Sequence, residues 1–238
     1  MIYRLSDSWG KMVSGVLGIL WLCLSGTLVA NPTFFKGYTT CKTAGMIALT
    51  FDDGVTKNYT PLLEVLNDYQ AKATFFVIGS SLKHPRNLTL LKKVYAKGHL
   101  IANHTWDHKA LTQLTDKQIE YQIRDTQNGL NLVVLPTHKL YIRPPYGKLN
   151  QSAYNKLTSM GYRVVLWNLD IDDWNHKISK SKLWAFYYKH LSVADPHKHS
   201  FIILQHDRRM DSIKILPDII NLGRSRGFKF VTLEECLR

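Results

Sequence analysis

The sequence predicts an α/β fold, a distorted parallel (β/α) barrel of about seven units in a single domain. Three observations predict it. Short apolar runs alternate with helical stretches all along the chain after residue 40, and strand–helix alternation implies a parallel sheet covered by helices. The runs are apolar throughout, as strands buried on both faces are. Five short polar motifs each follow one of these runs. In a parallel barrel the carboxyl ends of the strands meet on one face, where active sites form.

Strands are expected at 46–51, 73–78, 99–102, 139–142, 163–166, 201–204 and 229–231. After the first strand, Thr60-Pro61 opens a helix with Leu62, Leu63, Leu66 and Tyr69 on one face. Residues 87–96 form a second helix. Thr115 suits the cap of a third over 115–132. A fourth, 150–160, stops at Gly161, and a fifth, 213–222, stops at Gly223, since glycine commonly ends helices. No linker, repeat or low-complexity segment interrupts residues 44–235, so they read as one domain. Seven units are fewer than the eight of a standard barrel, so a smaller barrel, closed or nearly closed, is expected.

With 238 residues and 45% hydrophobic content, the chain can bury one large core. Charged residues at 21%, with ordinary Gly and Pro, exclude a disordered chain. The net charge of +13 suits an acidic environment such as a wall polymer, or reflects a solvated basic surface. A nucleic-acid partner is not expected, because no Gly-rich phosphate loop, zinc finger or aromatic RNA-binding signature accompanies the charge.

Residues 1–30 read as an export signal or signal anchor. Arg4 and Lys11 precede an apolar run from 12 to 29, and the small Ala30 ends it. Cleavage is the expectation. The run's length, near the lower limit for a membrane span, makes an uncleaved anchor the alternative and the only route to a membrane. Either way the body lies outside the cytoplasm, secreted or at the cell wall. Cys23 lies in this segment, leaving Cys41 and Cys236 near the two ends of the domain. They would either bridge, stapling the termini in an oxidising compartment, or sit as two buried thiols; the bridge is favoured. Four Asn-x-Ser/Thr sequons, at Asn58, Asn87, Asn103 and Asn150, matter only on a eukaryotic secretory route. Asn103 is expected to stay bare, being next to a candidate ligand.

The motifs carry the chemistry. His104 and His108 are spaced i, i+4, which on a helical turn would put both rings on one side, as a zinc site requires. Asp52-Asp53 places two carboxylates at the end of a buried strand, where their repulsion calls for a cation. Successive side chains leave an extended chain in different directions. One carboxylate can therefore bind a metal while the other faces water. Two His, one carboxylate and open positions make a catalytic rather than a structural set. Arg143, ahead of the stiff Pro144-Pro145, can orient a carboxylate, or be a surface arginine in a turn. Asp173 with His206 can form an oriented acid pair, or His206 can be a buried structural residue. His197 and His199 read as solvated. No Gly-x-Ser-x-Gly elbow is present and neither remaining Cys is near a motif, so a covalent mechanism is unsupported.

Thr50-Phe51-Asp52-Asp53-Gly54, His104-Thr105-Trp106-Asp107-His108, Arg143-Pro144-Pro145-Tyr146-Gly147, Asp170-Ile171-Asp172-Asp173-Trp174 and Leu204-Gln205-His206 resemble, in order, the five motifs of NodB-homology polysaccharide deacetylases, carbohydrate esterase family 4. The resemblance covers residues 44–235. It implies a distorted (β/α) barrel and metal-dependent removal of acetyl groups from N-acetylglucosamine polymers. Asp53, His104 and His108 would bind one divalent ion, zinc first, with cobalt or another divalent ion as alternatives. Asp52 would be the general base, oriented by Arg143. The Tyr146 N–H would face the oxyanion, and His206, tuned by Asp173, would protonate the leaving amine. Trp174 and Leu204 would line the pocket for the acetyl methyl. The fourth motif carries an additional acid, Asp172. The stretches 101–108, 162–168 and 231–237 look more like chitin deacetylases, which also supports the Cys41–Cys236 bridge. Peptidoglycan deacetylases are the alternative, acetyl xylan esterases the third. A catalytically silent wall polysaccharide-binding protein is the non-enzymatic reading. A monomer is expected.

Overall fold

The computed structural model describes residues 37–135 and 139–238. The export segment expected at 1–30 lies outside these residues. Seven strands form one sheet: β1 (Met46–Asp52), β2 (Ala73–Val77), β3 (Leu100–Asn103), β4 (Tyr141–Ile142), β5 (Arg163–Val164), β6 (Phe201–His206) and β7 (Lys229–Phe230). Every pairing is parallel. The order is β5-β4-β3-β2-β1-β6, with β7 paired to the start of β1.

The sheet curls until its edges meet. Beyond β5 the chain bridges Leu169 to Ile203 of β6, and the Leu204 N–H donates to the Leu169 carbonyl at 3.0 Å. The Asn168 side chain stands in for a peptide unit there. Its amide donates to the Ser200 carbonyl and its oxygen accepts from the Ile202 N–H, both at 2.9 Å. This is the barrel expected from the alternation, distorted as the resemblance implies, with β4, β5 and β7 shorter than their apolar runs.

Strand residues alternate between two apolar cores. Ile47, Leu49, Phe51, Phe75 and Val77 face the helices. Ala48, Phe76, Ala102, Val165 and Ile202 fill the barrel with Leu233 and Leu237. The helices are α1 (Tyr59–Asp68), α2 (Pro85–Ala96), α3 (Asp116–Leu130), α4 (Gln151–Ser159), α5 (Lys180–Leu191), α6 (Met210–Lys214), α7 (Leu216–Ser225) and α8 (Leu233–Cys236). Thr115 caps α3 in a reciprocal capping box with Gln118. No helix among the described residues is long and apolar enough to cross a membrane.

Two helix expectations need correction. The helix expected at 213–222 is two helices, because Pro217 lacks an N–H and restricts the residue before it, so α7 begins anew at Leu216. Gly223 does not end α7. A Cβ there would lie 2.7 Å from the Phe230 ring, so this glycine admits a close packing contact. The sequence pattern does not predict α5. Its buried stripe, Leu183, Tyr187 and Leu191, is interleaved with Trp184, Phe186 and Tyr188, which blurs the apolar period.

Cys41 and Cys236 form a disulfide across a separation of 195 residues. Both are buried. A loop of that length removes about 5 kcal/mol of unfolded-state entropy in the chain-entropy view. Reduction is expected to lower the melting temperature by about 10 °C, measured by calorimetry with and without reductant. An unchanged melting curve would show that the bridge does not contribute.

Candidate active site

The end of β1 presents two carboxylates to one cleft. Asp52 is its last residue, and Asp53 follows with φ of 72°. That left-handed turn, which Asp tolerates better than most residues, brings the second carboxylate round to the cleft. Asp52 is anchored from behind by Arg143, which is fully buried. The Arg143 Nη1 donates to Asp52 Oδ1 and to Thr50 Oγ1, each at 2.7 Å. Its Nη2 donates to the Leu166 carbonyl at 3.0 Å, and its guanidinium packs 4.3 Å from the Phe76 ring centroid. Burial lowers the Arg143 pKa, and the Asp52 charge opposes that shift.

The loop after β3 supplies the imidazoles. The spacing of His104 and His108 does not arise from a helical turn, contrary to the expectation. Residues 104–108 form a loop in which Thr105 (φ 65°) and His108 (φ 62°) are left-handed. Side chains hold this shape. The Thr105 N–H donates to Asn103 Oδ1 at 2.9 Å, and Gln122 Oε1 on α3 accepts from the Trp106 and Asp107 N–H groups at 2.9 and 3.1 Å. Asn103 itself is wholly buried, its amide donating to the Ile123 carbonyl.

His104 Nδ1 lies 2.8 Å from the Arg143 carbonyl oxygen. A carbonyl only accepts, so Nδ1 carries the proton and Nε2 keeps its lone pair. That Nε2 is 3.5 Å from Asp53 Oδ1, and His108 Nε2 is 3.4 Å from the same atom. One ligand atom from each of the three residues falls within 4.8 Å of the others. Asp53 Oδ1 is buried with no hydrogen-bond donor. Burial opposes ionisation of Asp53, but the surrounding imidazoles of His104, His206 and His108 more than offset it. Its carboxyl stays well below the usual range. An orphaned carboxylate oxygen facing two imidazole nitrogens is a donor set that fits a divalent metal.

At the end of β6, His206 Nδ1 meets Asp173 Oδ1 at 2.6 Å, and the His206 N–H donates to Asp173 Oδ2 at 3.0 Å. The partner of His206 is therefore Asp173 and not Asp172, which adopts φ of 53° and lines the cleft. Burial disfavours the His206 cation, but its bond to Asp173 prevails with help from Asp52 and Asp53. Its pKa is pushed up to about 9.

The cleft has a volume of about 530 Å³. Asp52, Asp53, His104, His108, Tyr146, Trp174, Leu204 and His206 line it, whereas Arg143 and Asp173 stand behind Asp52 and His206. The Tyr146 ring, 64% exposed, stands edge-on to His108 at 4.6 Å, and Trp174 is 54% exposed. Gly147 is required beside them. Its φ is 63°, and a Cβ would lie 2.8 Å from Trp167. His199 hydrogen-bonds the surface Asp195 loop.

Several residues here carry no motif that singles them out in the sequence. Arg208 Nε is 3.2 Å from Asp53 Oδ2, and Arg209 and His176 also line the cleft. Asp207 is buried and its Oδ2 accepts from the Thr56 N–H at 3.0 Å, tying the loop after Asp53 to the end of β6. Burial raises its pKa to about 6. The available signal is the run His206-Asp207-Arg208-Arg209, unusually charged for the end of a buried strand.

Comparisons with known proteins show what the chain is similar to. Residues 39–165 match the profile of a family described as polysaccharide deacetylase. A peptidoglycan-N-acetylglucosamine deacetylase of Bacillus cereus is 34% identical over 214 residues, covering 87% of this chain and 95% of that protein. One from Listeria monocytogenes is 33% identical over 200 residues, 82% of this chain, of which that longer protein shares only 39% of its length. Among solved structures, the chitin deacetylase of Colletotrichum lindemuthianum superposes with a TM-score of 0.77 at 27% identity, over 85% of this chain and 92% of that one.

The site makes a stability claim. Arg143→Met leaves the Asp52 carboxylate buried without its cation and is expected to destabilise the fold by about 3–5 kcal/mol, read by urea unfolding. In an Asp52→Asn background the same change should cost clearly less. Equal costs in both backgrounds would refute the coupling.

Proposed function

The chain belongs to the polysaccharide deacetylase family, and on that premise we propose that it hydrolyses the N-acetyl groups of N-acetylglucosamine residues in chitin or chito-oligosaccharides. Acetate is released and glucosamine is left. The observation that carries this reading is the convergence of Asp52, the Asp53/His104/His108 set and the Asp173-backed His206 on one cleft. Asp53, His104 and His108 would hold one divalent ion, zinc first. When bound, it would polarise the acetamide carbonyl and make water more acidic.

The chain's own residues supply the rest. Arg143 occupies Asp52 Oδ1 and leaves Oδ2 toward the cleft, 3.6 Å from His104 Nε2. Asp52 can therefore take the proton of the attacking water. The Tyr146 N–H, carried on a left-handed residue at the rim, is assigned to the developing oxyanion. His206 has Nδ1 committed to Asp173, so Nε2 is the atom that delivers a proton to the leaving amine. A pKa near 9 keeps that proton in place at neutral pH. Leu204 and Trp174 wall the space for the acetyl methyl.

Peptidoglycan is the second reading. It is favoured by the relatives from Bacillus cereus and Listeria monocytogenes and suits the net charge of +13. The disulfide supports action in an oxidising compartment, secreted or at the wall.

Acetate release from chitin oligomers and peptidoglycan, with zinc and with chelator, tests the reading. Zinc-dependent release from chitin oligomers is expected. Release from peptidoglycan alone would move the substrate, and no release from either would overturn the activity. Asp52→Asn should bind zinc normally in calorimetry yet lose at least ~10³-fold in kcat. His104→Ala should lose zinc binding. Normal turnover by Asp52→Asn would remove Asp52 from the role of base.

A further inference from the structure

We infer that Arg209 is a positioning residue for this reaction, holding the 173–178 loop so that Asp173 stays on His206 and Trp174 stays over the cleft. The inference rests on the roles proposed above for His206 and Trp174.

Between the bridge at Leu169 and the start of α5 at Lys180, the chain has no regular element. Its internal bonds are local turns. The Asn175 N–H donates to the Asp172 carbonyl at 2.8 Å, and the Ile178 N–H to the Asn175 carbonyl at 3.0 Å. Such turns shape a loop without fixing it to the barrel. The fixing comes from β6. His206 holds the Asp173 carboxylate by two bonds, and three residues later Arg209 holds the loop's backbone.

The Arg209 Nη1 donates to the carbonyls of Asp173 (3.2 Å) and Asn175 (2.8 Å), and Nη2 to the carbonyl of Ile178 (2.9 Å). Asp211 Oδ2 accepts from Nη2 at 2.9 Å and sets the fork's orientation. Arg209 is 7% exposed, so these bonds form largely out of water, where charge-assisted bonds are strong. The carbonyls of residues 173 and 175 flank Trp174. The exposed indole is thus held through the backbone on either side of it. A lysine cannot reproduce this, because one ammonium cannot span three carbonyls with fixed geometry. Arg209 therefore links the proton donor and the pocket wall through one buried guanidinium, without itself reacting.

A purely stabilising arginine and a positioning one differ in a double-mutant cycle on the zinc-loaded full chain. Arg209→Met is expected to lower kcat on chitin oligomers about 30-fold, with KM changed less than about threefold. Arg209→Lys should not restore it. In an Asp173→Asn background the added loss should shrink to less than about threefold, because the partner through which Arg209 acts is already disabled. An equal loss in both backgrounds, or an unchanged kcat in folded Arg209→Met, would overturn the inference. If Arg209→Met fails to fold, Asp211→Asn keeps the guanidinium while loosening its anchor. It should then show the same cycle with a smaller loss, and additivity there would equally overturn it. A readout free of activity separates this from the deacetylase reading. The downfield Nδ1 proton resonance of His206, held by Asp173, should broaden or vanish in the Arg209 variant. A resonance unchanged from wild type would refute the positioning role even if neither polymer proved to be a substrate.

Discussion

The fully buried guanidinium of Arg143 is the interaction on which the rest of the site depends. The side chain joins β1, through Thr50 and Asp52, to the chain beyond β5, through the Leu166 carbonyl, while the Arg143 backbone carbonyl accepts from His104 of the β3 loop. A buried ion pair is weak evidence for net stability, since desolvation offsets attraction, but removing one partner is costly. In the proposed mechanism this pair separates two adjacent carboxylates. Asp52 is held by the buried Arg143, whereas Asp53, whose Oδ2 meets only the exposed Arg208, has an Oδ1 with no donor and two imidazoles in front of it. The neighbours thereby acquire different chemistry.

The backbone carries strain where this chemistry is concentrated. Among the described residues, the non-glycine positions with positive φ are Asp53, Gln70, Thr105, His108, Tyr146 and Asp172. All except Gln70 belong to the cleft or its loops. Each such residue costs on the order of 1–3 kcal/mol and persists only where its surroundings over-determine it. Here the surroundings are identifiable. Gln122 and Asn103 pin the His104–His108 loop, Asp207 pins the loop after Asp53, and Arg209 pins the loop around Trp174. The barrel serves as a rigid frame against which these loops are tied.

Much of this is legible in the sequence. Buried parallel strands read as short apolar runs, and polar residues at their carboxyl ends stand out against them. Asp52, Asp53, His104, Arg143 and His206 therefore stand out as candidates, and the resemblance to a known family supplies their roles. Two things are not legible. Left-handed turns at Thr105 and His108 follow no local propensity, so a spacing of four suggests a helical turn where a side-chain-tethered loop produces it. Arg209 acts on backbone carbonyls some thirty residues away, a contact without a sequence pattern. In α5, aromatic residues on the flanks hide the buried stripe, and at Pro217 the missing N–H divides one apolar stretch into two helices.

The central claim is that Arg143 divides the labour between the two carboxylates. A zinc-loaded crystal, with the ion located by anomalous scattering at the zinc edge, tests it most directly. The account requires one ion bound by Asp53, His104 and His108, with Asp52 still on Arg143. An ion ligated by Asp52, or one placed away from the two imidazoles, would contradict it.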